Sequence, residues 1–246
     1  MVVIIQGDRL ANLLILGASR GLGAAFAGYV PDARDTVWLV SRSRPAALDR
    51  DDGIRRHWVQ ADLSLETSAA DVRAALGETR LDVLLYNAGI WEKGAFGPGY
   101  NFEASPLAET QRLLAVNLSS AILCVQALLP NLRQSDNPKI ILIGSTSGLE
   151  NVQDREVAYV ASKFGLRGAA YALRESLRAD RIAVTCINPG YFVTEIPYER
   201  GVEPVLAETS GIPMHDLVAL VRCLMTLSRG SCVKEIDMPA MRDMNA

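Results

Sequence analysis

Asn12-Leu13-Leu14-Ile15-Leu16-Gly17-Ala18-Ser19-Arg20-Gly21-Leu22-Gly23 runs from an unbroken apolar stretch into a glycine-rich turn. Continuous apolar residues ending at glycine are the pattern of a strand buried on both faces of a parallel sheet. The spacing Gly17-x-x-x-Gly21-x-Gly23 then opens a helical stretch over 21–29. Glycines at such a turn allow a tight bend and let a pyrophosphate approach the helix N-terminus. A glycine-rich turn alone is weak evidence, because strand-to-helix turns often carry glycine for backbone reasons. Its place directly after the first strand is what points to a nucleotide.

Outward from that turn, apolar runs of the same kind recur at 36–41, 57–61, 81–86, 139–144 and 182–188, with a last strand at 233–236. Helical stretches at 68–76, 108–132, 158–179 and 214–227 separate them. Strand–helix alternation with apolar strands predicts a Rossmann-type α/β fold, a doubly wound, mostly parallel seven-stranded sheet with helices on both faces. The 246 residues fit one such domain, 1–246, with no linker dividing it. Residues 1–5 could add an edge strand. In such a sheet, ligands bind outside the carboxyl ends of the strands, which is where the informative residues fall.

Asp62-Leu63 ends the third strand; its carboxylate could meet an adenine amine or simply cap a turn. Asn87-Ala88-Gly89 ends the fourth, where small residues allow close approach to a ribose, though a plain turn also explains them. The fifth strand ends in Gly144-Ser145-Thr146-Ser147-Gly148, which presents hydroxyls, or is only a polar loop. Asn117 is a polar residue in an apolar helix, and a satisfied core amide is an equal account of it. Tyr159 and Lys163 stand four residues apart on a helix and so share one face. A free phenol titrates near ~10, and a fixed cation beside it favours phenolate. The pair is therefore expected to act as a general acid/base. After the sixth strand come Pro189, Gly190, Phe192 and Thr194 in a rigid turn.

Hydrophobic residues at 49%, charged residues at 22% and a net charge of −3 give no reason to expect nucleic acid or an anionic membrane as partner. The apolar runs look too short to span a bilayer, and residues 1–8 lack the basic start of a signal peptide. Cys124, Cys186, Cys223 and Cys232 show no metal or redox spacing and are expected as buried free thiols in a cytoplasmic protein. His57 and His215 are isolated, so no metal is expected.

Taken together, the glycine turn, Asn87-Ala88-Gly89, Asn117, Ser145, Tyr159-x-x-x-Lys163 and Pro189-Gly190 resemble a classical short-chain dehydrogenase/reductase from about Leu13 to Ile236. Leu16 stands where the family usually has Thr, and 45–53 is shorter than its common helix. The resemblance implies reversible hydride transfer between a nicotinamide and a carbonyl/alcohol substrate. Tyr159 would exchange the proton, and Lys163 would lower its pKa and hold the nicotinamide ribose. Ser145 would hold the substrate oxygen, and Asn117 a water leading to Lys163. Gly17, Ser19, Arg20, Gly21, Leu22, Gly23, Asp62, Leu63, Asn87, Ala88 and Gly89 would line the cofactor. Pro189, Gly190, Phe192 and Thr194 would line its nicotinamide end. A sugar epimerase or dehydratase of the extended branch is a weaker reading, because that branch spaces its glycines differently. A non-catalytic cofactor-sensing or signalling protein on the same fold is the remaining one, though such proteins tend to lose the Tyr or the Lys.

The second strand ends Val40-Ser41-Arg42-Ser43, without the acid that an NAD-selective turn places on the ribose hydroxyls. Ser41, Arg42 and Arg20 instead offer donors and charge to a 2′-phosphate, so NADP(H) is the expected cofactor. Arg44 could add to this field or be a solvated surface charge. Residues 195–213 are expected as a substrate lid and 91–102 as the opposite wall. Trp91, Phe96, Tyr100, Phe102, Tyr191 and Tyr198 concentrate aromatic surface there, which suits an apolar ketone or anchors the loops. The family resemblance also implies a homodimer or homotetramer through the helices at 108–132 and 158–179.

Overall fold

In the computed structural model, which describes residues 10–150, 153–193 and 211–242, the opening apolar run is strand β1, Asn12–Leu16. Residues 1–5, Thr194, Tyr198 and most of the expected lid lie outside the described residues. Helix α1, Gly21–Tyr29, leaves the glycine turn, and β2, Thr36–Ser41, returns beside β1. Then follow β3, Arg55–Gln60; α2, Ser68–Leu76; β4, Val83–Tyr86; and α3, Leu107–Leu114. The chain continues through α4, Ser120–Leu132; β5, Lys139–Ile143; α5, Val157–Ser176; and β6, Ala183–Pro189. Two short strands, β7 at Phe192–Val193 and β8 at Ile212–Pro213, pair with each other ahead of α6, Met214–Thr226, and β9, Glu235–Met238.

The main sheet has seven strands in the order β3-β2-β1-β4-β5-β6-β9, and every pairing is parallel. Alternation along β1 divides the core. Leu14 and Leu16 face the layer built by α2, α4 and α5, while Leu13 and Ile15 face α1 and α6. This is the doubly wound α/β fold expected from the alternation of strands and helices.

Several expectations shift. The edge strands begin elsewhere than their apolar runs. Pairing with β2 draws Arg55 and Arg56 into β3, and pairing with β6 moves the last strand from 233–236 to Glu235–Met238. An edge strand is held by its ladder on one side only, so hydrophobicity marks it poorly. The stretch 108–132 is not one regular helix, because a π-helical turn, Ala115–Ser119, separates α3 from α4. There the Tyr86 hydroxyl donates to the Val116 carbonyl at 2.5 Å, and Ser120 Oγ donates to the same oxygen at 3.0 Å. Side chains that take a helix carbonyl loosen the ladder locally. Finally, the joined stretch Leu107–Leu132 is long and apolar enough to cross a bilayer by length and composition, contrary to the expectation of short runs. Its buried side, from Val116 to Leu132, packs in the core beneath the sheet. All four cysteines are free, but only Cys124 and Cys186 are buried; Cys223 and Cys232 are exposed.

Candidate active site

The strand order reverses between β1 and β4, and the loops leaving their carboxyl ends diverge around a cleft of about 970 Å³. The glycine turn forms its floor. A Cβ on Gly17, where φ is +85°, would stand 2.7 Å from the Ala88 backbone. One on Gly23 would overlap the Gly17 carbonyl oxygen at 1.8 Å. Only glycine allows the β1 turn, the start of α1 and the β4 loop to approach this closely. Asn87 fastens the join, its Nδ2 donating to the Gly17 carbonyl at 3.1 Å. The backbone cradle at the N-terminus of α1 fits a dinucleotide pyrophosphate. Ser19, Gly21, Leu22, Ala88 and Gly89 line the same cleft.

At one end of the cleft stand Arg20 and Arg42, both exposed. Arg50, which the sequence analysis did not single out, joins them, its guanidinium 4.4 Å above the Tyr29 ring and its Nε donating to Asp52. Its place in an irregular stretch with no periodicity left no signal. Ser41 is buried and donates its hydroxyl to the Ser43 carbonyl at 2.7 Å, so that proton is spent inside the turn. Arg44 does not join the field; both its terminal nitrogens donate to Asp49 at 2.7 Å. Asp62 closes a turn, accepting from Ser64 N at 3.0 Å and Ser64 Oγ at 2.7 Å, while lining the cleft with Leu63. Burial opposes its charge, but the Ser64 bonds and the cations of Arg42 and Arg112 hold its carboxyl below the usual range.

The other end carries Ser145, Tyr159 and Lys163, from the β5 turn and α5. Lys163 is buried, with Nζ 5.6 Å from the Tyr159 ring centroid, and donates to the Ile143 carbonyl at 3.0 Å. Burial lowers its ammonium to about 8. Tyr159 differs from expectation. Burial pushes the phenol up, the neighbouring Ser145 hydroxyl opposes this, and the carboxylates of Asp154 and Glu92 push it up again. The balance lies above the ordinary phenol value, because desolvation of the phenolate outweighs the Ser145 hydrogen bond. Ser145 Oγ bonds Ser147 Oγ at 3.1 Å, and the Ser147 hydroxyl donates in turn to Asp154. Asn117, fully buried in the π turn, has a structural task. Its Oδ1 accepts from Ile90 N at 2.8 Å, and its Nδ2 donates to Ile90 O at 2.8 Å and Ser162 Oγ at 3.0 Å. Its amide hydrogens are thus both committed, which is the core-amide account of this residue.

Four bonds staple the loop after β4 to the start of α5. The buried Glu92 carboxylate accepts from Ala158 N at 2.8 Å and Tyr159 N at 3.1 Å. Glu156 accepts from Phe96 N at 2.7 Å, and the Tyr100 hydroxyl accepts from Val157 N at 3.0 Å. Glu92 and the Tyr100 hydroxyl cap a helix whose first N–H groups have no partner of their own. A lone Glu in an aromatic loop gave no sequence signal of that task. The staple sets Phe96 edge-on against Tyr159 with ring centroids 5.4 Å apart, and Trp91 6.2 Å beyond it. Trp91 and Phe96 remain exposed beside the phenol. Pro189, Gly190 and Phe192 close the same end from β6 and β7. Among the described residues no group of three His, Cys, Asp or Glu side chains could hold a metal ion.

Comparison with known proteins follows the same outline. The family model for short chain dehydrogenases matches residues 11–202. A rhamnolipid-biosynthesis 3-oxoacyl-[acyl-carrier-protein] reductase of Pseudomonas aeruginosa is 32% identical over 214 residues, 82% of this chain and 81% of its own. A metagenomic short-chain oxidoreductase solved in complex with NADP superposes with a TM-score of 0.70 at 28% identity, covering 94% of this chain and 97% of that one. A Pseudomonas aeruginosa RhlG/NADP active-site complex gives 0.76 at 26% identity, covering 96% of each.

Proposed function

Since the chain belongs to the short-chain dehydrogenase/reductase family, we propose that it is an NADP(H)-dependent oxidoreductase acting on a carbonyl/alcohol pair, with Tyr159 as general acid/base. One observation carries this reading: the Tyr159 phenol, the Ser145 hydroxyl and the Lys163 ammonium border the same cleft that begins at the glycine turn. The nicotinamide supplies the hydride when bound. The glycine turn would hold the pyrophosphate, and Arg20 and Arg42 the 2′-phosphate. Asp62 and Leu63 border the adenine, and Asn87, Ala88 and Gly89 the ribose. Pro189, Gly190, Phe192 and Thr194 hold the carboxamide end. Tyr159 gives its proton to the carbonyl oxygen in reduction and recovers it from the alcohol in oxidation. Lys163 holds the nicotinamide ribose and balances the charge left on the phenol.

The exposed rings of Trp91 and Phe96 beside Tyr159 favour a substrate whose bulk is apolar. The name of the Pseudomonas relative places 3-oxoacyl chains among the compounds to try. The exposed Ile122, Leu123 and Phe164 on α4 and α5 favour pairing of two copies through these helices. Consumption of NADPH and NADH with 3-oxoacyl thioesters, aromatic and alicyclic ketones and small keto acids tests the reading. NADPH should be preferred, and apolar ketones should outrun keto acids. If no carbonyl in the panel is turned over with either cofactor, the oxidoreductase reading fails.

A further inference from the structure

Helix α5 starts without a cap of its own. Glu156 stands at its N-cap position, but that side chain makes no cap bond. Its carboxylate accepts instead from Phe96 N and Arg155 N. The first turn is closed from the loop after β4. Glu92 Oε1 accepts from Ala158 N at 2.8 Å and Tyr159 N at 3.1 Å, and the Tyr100 hydroxyl accepts from Val157 N. A serine or asparagine at 156 would satisfy such donors locally. The chain uses a buried glutamate 66 residues away, whose second oxygen, Oε2, has no partner among the described residues. A buried acceptor left unpaired costs stability, so capping alone accounts poorly for a carboxylate here. Glu92 does join two features that a local cap would leave apart. Its neighbour Trp91 lines the cleft, and Phe96 meets the Tyr159 ring edge-on.

We propose that Glu92 is a positioning residue for the acid/base: capping α5 from the substrate wall, it fixes Tyr159 relative to Trp91 and Phe96, so that a carbonyl seated on that wall meets the phenol. This rests on the oxidoreductase reading above. The charge of Glu92 acts on the same group. Burial is the largest influence holding the phenol protonated, the Ser145 hydroxyl works against it, and the carboxylates of Asp154 and Glu92 add to it. The Lys163 ammonium faces the ring from the next turn of α5, 5.6 Å from its centroid. Placement and charge thus come from one side chain, and they can be separated.

Glu92→Gln keeps an acceptor oxygen in reach of both N–H groups and loses the charge. Glu92→Asp keeps the charge and falls one methylene short of them. With a carbonyl that the wild type turns over, kcat should follow the oxygen. It should stay within about threefold of wild type in Glu92→Gln and fall about tenfold or more in Glu92→Asp, because small misplacements of a reacting group are expensive. NADPH binding, read by fluorescence titration, should change by less than about twofold in either, which also shows both proteins folded. Slow turnover in Glu92→Gln would overturn the proposal, since charge rather than placement would then matter. Wild-type turnover in Glu92→Asp would overturn it too, leaving a cap with no bearing on the phenol. Tyrosinate absorbance against pH, with the Tyr159→Phe protein subtracting the other tyrosines, gives a reading that needs no turnover. The phenol should ionise at lower pH in Glu92→Gln, and an unmoved titration would show that Glu92 does not act at Tyr159. If the wild type turns over no carbonyl while that titration still moves, the oxidoreductase reading is lost and the tie from Glu92 to Tyr159 stands.

Discussion

The two ends of the cleft solve different physical problems. At the adenosine end, Arg20, Arg42 and Arg50 are exposed, and their side chains make few bonds to the body of the protein. At the proposed catalytic end, Lys163, Ser145, Glu92 and Asn117 are buried and held by backbone or side-chain partners. Recognition of a phosphate needs charge in reach, and flexible guanidinium groups supply it from solvent. Proton transfer needs an atom held in place and a titration moved by its surroundings. The first problem tolerates exposure, whereas the second requires burial.

The sharpest way to break this contrast is to remove the proton from the buried end. Tyr159→Phe keeps the ring packed against Phe96 and leaves the glycine turn untouched. Turnover should fall by roughly 10²–10⁴-fold while NADPH binding, followed by fluorescence titration, stays within about twofold. Turnover close to wild type would mean that the proton comes from another group.

Lys163 tests what burial costs. Its ammonium titrates near 8 in the fold and at 10.5 as an unperturbed lysine. The unfolded chain therefore binds more protons between these values, and stability rises with pH across that window. Below about 8 the full cost of burying the charge is present, at most about 3 kcal/mol. Lys163→Met should be the more stable protein at pH 7, with the gap closing as pH rises from 8 toward 10.5, while NADPH binding weakens. Thermal melting at stepped pH measures this. A constant gap at every pH would mean that packing, not charge, separates the two proteins.

The same contrast explains what the sequence made legible. Buried strands β1, β4, β5 and β6 announced themselves by unbroken apolar runs, and the glycine turn by its place after β1. Tyr159 and Lys163 were found because helical spacing alone puts them on one face. What stayed hidden depends on contacts between distant segments. Glu92 caps α5 across 66 residues of chain, and the tie of Phe96 to Glu156 crosses 60. The π turn at Asn117 arises from a Tyr86 hydroxyl on another element. Spacing likewise reveals a cation near Tyr159 but not the burial that pushes its phenol up.

At the exposed end, the expected effects are smaller and divided among several side chains. Arg42→Leu and Arg20→Leu should each reduce the NADPH-over-NADH preference by about tenfold, from charged hydrogen bonds worth ~1.5–3 kcal/mol. The change should lie mostly in KM. Ser41→Asp with Arg42→Leu should reverse the preference by placing a carboxylate where the 2′-phosphate would come. If either single arginine variant leaves the kcat/KM ratio unchanged, that guanidinium does not touch the phosphate.

Arg44 supplies the smallest effect and the cleanest internal comparison. It lies two residues from Arg42 on the same turn and carries the same charge, yet its fork is closed on Asp49 by two bonds of 2.7 Å. Both side chains are largely exposed, so the pair is solvated and contributes little to the fold. A guanidinium already matched to a carboxylate presents almost no net field to a second anion. Arg44→Leu should therefore change the KM for NADPH by less than about twofold, and leave the melting temperature nearly where it was. Asp49→Asn sharpens the point in the other direction. It releases the Arg44 fork without moving it far along the chain, and the freed charge should tighten NADPH relative to NADH. A loss of NADPH preference in Arg44→Leu as large as that in Arg42→Leu would erase the distinction between paired and free arginines at this end of the cleft.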